Sequence, residues 1–325
     1  MSLKSSITSS QNSNDSLHSK KCILITGGNG FIGRRLKDML SNNYINIFTP
    51  SFKECDLRTK KGAEMAFLCN PDVVIHLASD LGGIEYMSNN QASIYLNNML
   101  INQHVLEQCR LYQVDKFIGI SSVNCYPFDA EAPYSEDNLW GDLPNSDVVG
   151  YGMSKRMMIL QSQLIRNQFG LNAINLILEG VYGPGDVFSH KKSRVIPANI
   201  IKCADALYGN NSEIKVWGSG KQIRDFIYID DAVNAIIYAI DNYDDELPLN
   251  IGSGNHICIK DLINLISKIS GFSGKIIWDK NKPSGQEKRF LQVSRAHNLG
   301  FKCKMPLDEG LKITIDWYKK NISKN

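Results

Sequence analysis

Lys21-Cys22-Ile23-Leu24-Ile25-Thr26-Gly27-Gly28-Asn29-Gly30-Phe31-Ile32-Gly33 is the stretch on which the fold turns. The unbroken apolar run Cys22 to Ile25 is the pattern of a strand buried on both faces. Glycines at 27, 30 and 33 follow at once, and Arg34 to Leu40 then carries a helical pattern. Strand, glycine turn and helix in that order let the backbone reverse tightly. The free amides and positive dipole end of the helix then favour a pyrophosphate. A glycine motif alone is weak evidence; between a first strand and a helix it points to a dinucleotide. Gly27, Gly30, Phe31, Ile32 and Gly33 are the expected cofactor contacts.

Downstream, strand-like runs alternate with helical ones. Ile45–Phe48, Val73–Leu77, Phe117–Ile120 and Ala173–Leu178 read as strands, with helices over about 92–112 and from Tyr151 to about Phe169. That rhythm predicts an α/β fold, a Rossmann-type doubly wound parallel sheet. Ligands bind such sheets at the carboxyl ends of the strands. Leu77 and Ala78 end the third strand, where small residues let a cofactor pass, and Ser121 and Ser122 end the fourth. After the second strand, Thr49-Pro50-Ser51-Phe52-Lys53 contains no acid before Glu54, and Lys53 is basic. An acid there would hold the ribose 2′-hydroxyl of NAD, so the tip tilts towards NADP, with NAD as the alternative. Asp56 reads either as a neighbour of the adenine or as a helix cap.

Tyr151-Gly152-Met153-Ser154-Lys155 places a phenol and an ammonium one helical turn apart. That spacing lets the ammonium lower the phenol's pKa, making it a usable proton donor or acceptor. Spacing alone is weak, since Tyr112 and Lys116 share it with no serine placed before them.

The second half is less regular. It carries a helix over Val195 to about Leu207, the turn Trp217-Gly218-Ser219-Gly220, and a helix capped by Asp230 or Asp231. A last sheet strand at Leu249–Ile251 and helices near Ile259–Ile269 and Leu307–Tyr318 follow. The expected organisation is a mobile leader over 1–20, then a dinucleotide-binding domain of 21–185 plus about 226–255. A smaller C-terminal α/β substrate-binding domain takes about 186–225 and 256–325.

Composition narrows the classes. A net charge of +3 over 325 residues, with no concentrated basic patch, gives no reason to expect nucleic acid. No apolar run reaches membrane-spanning length. The eight cysteines lack paired metal spacings and read as reduced thiols, and the six histidines form no i, i+4 pair, so no metal is expected. Residues 1–20, rich in Ser, Asn and Gln, are no secretory signal. A cytoplasmic enzyme is the default.

The glycine turn, Ser122 and Tyr151-x-x-x-Lys155 resemble the extended short-chain dehydrogenase/reductase superfamily. Tyr182-Gly183-Pro184 and Arg224-Asp225-Phe226 extend the resemblance to its nucleotide-sugar branch. Within that branch the chain is similar to the GDP-L-fucose synthases, which epimerise and reduce GDP-4-keto-6-deoxymannose with NADPH. The residues carrying this are Leu81-Gly82-Gly83-Ile84, Ser121-Ser122 with Tyr126-Pro127, and Ser193-Arg194-Val195-Ile196-Pro197-Ala198. Val216-Trp217-Gly218-Ser219-Gly220 and Lys282-Pro283-Ser284-Gly285 complete the set.

The resemblance implies roles. Tyr151 would donate the proton, Ser122 would orient the carbonyl, and Lys155 would bind the nicotinamide ribose and lower the Tyr151 pKa. Tyr151, Lys155 and Ser121 would also touch the cofactor. Trp217 and Arg224 would meet the guanine and phosphate ends of a GDP-linked sugar, although Arg224 has a structural alternative in an ion pair with Asp225 or Asp230. Lys202 stands where the family has a substrate-binding arginine. A homodimer through the helices at 92–112 and 151–169 is implied too, with Met157, Met158, Leu160 and Leu164 on the shared face.

Two positions depart from the pattern. The fucose synthases carry a cysteine two residues after the serine and a histidine just before Val-Ile-Pro; these move protons at the carbons flanking the ketone. Here Asn124 and Arg194 occupy those places in the substrate site. An amide is no practical base and a guanidinium stays protonated. Cys125 is offset by one residue and should point elsewhere, and His190 reads as a surface loop residue. The expectation is therefore a 4-reductase without C3/C5 epimerisation. The alternatives are a bifunctional fucose synthase, an NAD-retaining 4-dehydrogenase or 4-epimerase and, more remotely, a non-catalytic nucleotide-sugar sensor. Val123 and Asn124, where dehydratases carry acids, speak against dehydration.

Overall fold

The first strand, β1 (Cys22–Thr26), is buried on both faces: Ile23 and Ile25 enter one core cluster and Leu24 the other. Each such side chain contributes about 1.5–3 kcal/mol by leaving water, which suits β1 to an interior place in the sheet. The computed structural model describes residues 21–41, 44–190, 192–279 and 286–321. The expected leader and Lys282-Pro283-Ser284-Gly285 lie outside the described residues.

The chain proceeds through α1 (Phe31–Leu40), β2 (Asn46–Phe48), α2 (Lys60–Ala66), β3 (Val73–His76), α3 (Ile84–Asn89) and α4 (Gln91–Leu111). Then come β4 (Lys116–Ser122), α5 (Val149–Phe169), β5 (Ala173–Leu178), α6 (Val195–Tyr208), β6 (Glu213–Trp217) and β7 (Ile223–Asp225). After these follow α7 (Ile229–Asn242), β8 (Leu249–Ile251), β9 (His256–Cys258) and α8 (Ile259–Ser270). The last are β10 (Lys275–Asp279), β11 (Lys288–Arg289), α9 (Ser294–Asn298) and α10 (Leu307–Asn321).

Six strands form an all-parallel sheet in the order β2-β1-β3-β4-β5-β8. The order reverses between β1 and β3, and such a switch point opens a ligand crevice at the carboxyl edge. The doubly wound fold expected from the strand–helix rhythm is thus the fold observed. β8 returns from the second half to pair with β5. Two small sheets, β10-β6 and β11-β7-β9, lie outside the main one.

Several local expectations are corrected. Neither Asp230 nor Asp231 caps α7, whose N-cap is Tyr228. Asp230 instead pairs with Arg35 at 2.6 Å, and Asp231 accepts from the amides of Lys304 and Met305. Asp56 does not cap α2 with its side chain; Thr59 does, and the Asp56 carboxylate pairs with Arg58 at 2.8 Å. Met158 is fully buried core, whereas Leu160 and Leu164 are exposed. The short helix α3 has no counterpart in the sequence reading.

All eight cysteines are free, and no described helix is long and apolar enough to cross a membrane.

Candidate active site

The glycine turn meets the end of β3. Gly27 takes φ +69°, and a Cβ on it would lie 2.7 Å from the Ala78 amide. A Cβ on Gly33 would lie 2.5 Å from the Gly27 carbonyl, so only glycine lets α1 start this close to β1. The amide end of α1, with Phe31 and Ile32 in its first turn, therefore opens beside Leu77 and Ala78. This cradle fits a pyrophosphate. At the tip after β2, the Glu54 carboxylate is folded back onto the Ser51 amide at 2.8 Å and hydroxyl at 2.7 Å, which holds its pKa below the usual range. Lys53 stays exposed. The one acid of the tip is thus engaged locally, while a cation faces solvent.

β4 delivers Ser122 to the carboxyl edge, and α5 carries Tyr151 and Lys155 towards it. Gly152 makes the approach possible, because a Cβ there would lie 2.2 Å from the Asn124 carbonyl. Arg156 fastens the same turn by donating to the Cys125 carbonyl at 2.8 Å. The Ser122 hydroxyl lies close enough to the Tyr151 phenol to pull its pKa down. The Lys155 ammonium lies 5.9 Å from the Tyr151 ring centre and donates to the Ile120 carbonyl at 2.9 Å.

Electrostatically, burial is the larger influence on both groups. It pushes the phenol up to about 12, with the Ser122 hydroxyl pulling it down, the Cys125 thiol pushing up and the Arg194 guanidinium again pulling down. It pushes the Lys155 ammonium down to about 8. The simple expectation that Lys155 lowers the phenol is therefore corrected: desolvation dominates, and Ser122 and Arg194 are the groups that oppose it.

A buried chain of polar groups lies behind Lys155. His76 contacts the Thr26 hydroxyl at 2.7 Å and the Asn102 carboxamide oxygen at 3.1 Å, and Asn102 donates to the Ser154 carbonyl of α5. Burial, reinforced by nearby Lys155, holds His76 neutral, at about 3. The chain ties the end of β1 to the helix bearing Tyr151.

The two departing positions are now placed. Arg194 donates to the buried Asp186 carboxylate at 3.0 Å, and its guanidinium lies 5.7 Å over the Phe31 ring. Asn124 sits beside Ser122, with its amide nitrogen 3.4 Å from Ser122 Oγ. Cys125 is fully buried in an apolar cluster with Val123, Ile159 and Ile177, and burial raises its thiol to about 11. His190 is exposed, 3.7 Å from Asp205. Neither supplies a base to the cleft. Tyr112 ends α4, while Lys116 is bound to Asp244 and the Ile240 carbonyl, so that pair forms no site.

Other expected contacts separate. The Ser121 hydroxyl is buried at the end of β4, beside Cys125. Trp217 is half-exposed at the end of β6, and Lys202 is half-buried on α6 with burial lowering its pKa. Arg224 pairs with neither Asp225 nor Asp230; its guanidinium donates to the carbonyls of Ile223 and Gln286, each at 2.7 Å. Asp225 is held by Ser253 and the Gly254 amide.

The sequence reading missed Arg289 and Glu179. Arg289 comes from β11, 165 residues beyond Asn124, and donates to the Asn124 carboxamide oxygen at 3.0 Å. Its Nε lies 3.6 Å from a carboxylate oxygen of Glu179, which is only 1 % exposed. Only the isolated acid following the apolar strand Ala173–Leu178 hinted at the latter.

A doubly wound dinucleotide-binding sheet with serine, tyrosine and lysine at its carboxyl edge is the architecture of an extended short-chain dehydrogenase/reductase. The sequence profile of the NAD dependent epimerase/dehydratase family matches residues 23–252. GDP-L-fucose synthase 1 of Arabidopsis thaliana is 30% identical over 302 residues, covering 92% of this chain and 94% of that protein. A GDP-6-OMe-4-keto-L-xylo-heptose reductase from Campylobacter jejuni superposes with a TM-score of 0.87 at 26% identity, covering 93% of this chain and 98% of its own. The GDP-mannoheptose C4 reductase of the same organism, solved with NADP bound, gives 0.84 at 26% identity over 93% and 99%. The chain belongs to the NAD dependent epimerase/dehydratase family, within its GDP-L-fucose synthase-like group.

Proposed function

We propose that this protein is an NADPH-dependent 4-reductase of a GDP-linked 4-keto sugar that leaves the flanking carbons untouched. The observation that carries the reading is the pairing of an intact Ser122–Tyr151–Lys155 set with the absence of a free base at 124 and 194. Asn124 is engaged by Arg289, and Arg194 is engaged by Asp186. The Campylobacter jejuni proteins, whose names describe reduction of GDP-heptoses, favour the same chemistry over the full epimerase-reductase sequence.

NADP(H) would lie along the amide end of α1, against Gly27, Gly30 and Gly33 and past Ala78, with Lys53 available to its 2′-phosphate. When bound as NADPH it supplies the hydride. The protein's own part is proton delivery and charge stabilisation. Ser122 accepts from the Asn124 backbone amide and side chain, both at 3.4 Å, which turns its hydroxyl proton outward, towards Tyr151 or a carbonyl oxygen. Tyr151, held protonated by burial, gives its proton to the oxygen that becomes the C4 hydroxyl. The Lys155 cation stabilises the phenolate left behind. Trp217 and Arg224 would take the guanine and diphosphate ends. A homodimer through the exposed apolar residues of α4 and α5 completes the proposal.

The test is NADPH consumption with GDP-4-keto-6-deoxymannose. Turnover that Tyr151→Phe abolishes supports the reading. Tightly retained NAD with no net consumption would favour a 4-epimerase.

A further inference from the structure

Glu179 is the most unusual acid in the protein. It follows β5 directly, beside the Ser122–Leu178 pair of the sheet, and is 1 % exposed. Neither carboxylate oxygen has a hydrogen-bond partner among the described residues. Its nearest cation is Arg289, at 3.6 Å, and Arg289 in turn bonds Asn124 at 3.0 Å. A buried acid is costly unless a neighbouring group engages it.

We propose that Asn124 is a specificity-determining donor to the sugar, and that the buried Glu179–Arg289 pair is the positioning device that fixes it in that role. The inference rests on the 4-reductase reading and goes beyond it. A guanidinium only donates, so the Asn124 atom it faces is the carboxamide oxygen. The amide nitrogen must then face Ser122 Oγ, 3.4 Å away. With its oxygen occupied, Asn124 offers the cleft N–H groups alone. Ser122 and Asn124 thereby form two adjacent donors, matching two oxygens on adjacent carbons of a sugar ring. If Ser122 takes the C4 oxygen, Asn124 takes the neighbouring hydroxyl, on C3. Glu179 acts only through Arg289: its carboxyl oxygen anchors the guanidinium, which would otherwise turn towards solvent and release the amide to flip. Arg224, whose guanidinium is already bound to two backbone carbonyls, is not free to replace it.

The experiment compares a GDP-4-keto-6-deoxyhexose with its 3-deoxy counterpart. Turnover and binding to the NADP-loaded protein are both measured. Wild-type protein should favour the 3-hydroxy compound at least about tenfold in kcat/KM, because a missing hydroxyl strands the Asn124 donor. Asn124→Ala should bring the ratio to within about twofold of one. Glu179→Leu, which removes both carboxyl oxygens, should do the same through loss of the anchor, and Arg289→Met should repeat it from the other side of the pair. A wild-type ratio near one, or an unchanged ratio in Asn124→Ala, overturns the donor assignment. A wild-type ratio retained in both Glu179→Leu and Arg289→Met overturns the positioning role. If wild-type protein binds both compounds without reducing either, the reductase reading fails, and the ratio of dissociation constants still decides the Asn124 assignment. Binding of neither overturns both.

Discussion

The ammonium of Lys155 is anchored on the carbonyl of Ile120, 2.9 Å away, two residues before the serine that faces the cleft. This bond orients a cation whose pKa burial has already pushed down to about 8. A group depressed in this way is charged below that value and neutral above it. Ketone reduction needs the charged form, so kcat/KM should fall as pH rises through about 8. Tyr151, at about 12, should add no second fall between pH 6 and 10. A rate that climbs across pH 8 to 10 would contradict the assignment.

Replacing the phenol tests proton delivery itself. Tyr151→Phe should lower kcat by roughly a hundredfold or more, as expected when a positioned general acid is removed. Affinity for NADPH, measured by fluorescence titration, should change little, because the glycine cradle is untouched.

Gly152 predicts a steric effect at the same place. An alanine there would place its Cβ 2.2 Å from the Asn124 carbonyl, so α5 and the turn after Ser122 must separate. Gly152→Ala should cost about 1–3 kcal/mol by overpacking. Its kcat should drop more than tenfold, since Tyr151 and Ser122 no longer meet. Full activity in a folded Gly152→Ala protein would show that this close approach is dispensable.

Glu179 gives a prediction about stability and pH. Burial raises it from 4.5 to about 8, with Arg289 opposing. Between those values the folded protein holds a proton that the unfolded chain releases. Its contribution is therefore fully present below about pH 4.5 and is lost as pH rises through 8. Glu179→Gln should accordingly gain on wild type between pH 5 and pH 9, by roughly 3 kcal/mol. Parallel stability curves for the two proteins, from urea unfolding at each pH, would refute this.

Much of the fold was legible because its signals are local. The apolar run at Cys22–Ile25 and the glycines after it required a buried strand turning into a helix, and the structure has both. Tyr151 and Lys155 could be read from one helical turn, and the parity of the turn after Ser122 already placed Cys125 on the wrong side. What stayed hidden depends on distance in the chain or on burial. No sequence pattern joins Asn124 to Arg289 across 165 residues. Spacing shows that a lysine is near a tyrosine, but only the enclosure of both reveals that desolvation dominates their pKa values. Asp230 and Asp231 have the look of caps, yet both serve partners far along the chain, Arg35 and the amides of Lys304 and Met305.

The central claim is that proton traffic in this site runs through Tyr151 alone. Its most direct test is incubation with GDP-4-keto-6-deoxymannose and NADPH in deuterated water, followed by mass and NMR analysis of the sugar. The account predicts NADPH consumption with no deuterium at C3 or C5. Deuterium at either carbon, introduced by the protein during turnover, would contradict it and show that a base other than Tyr151 reaches the ring.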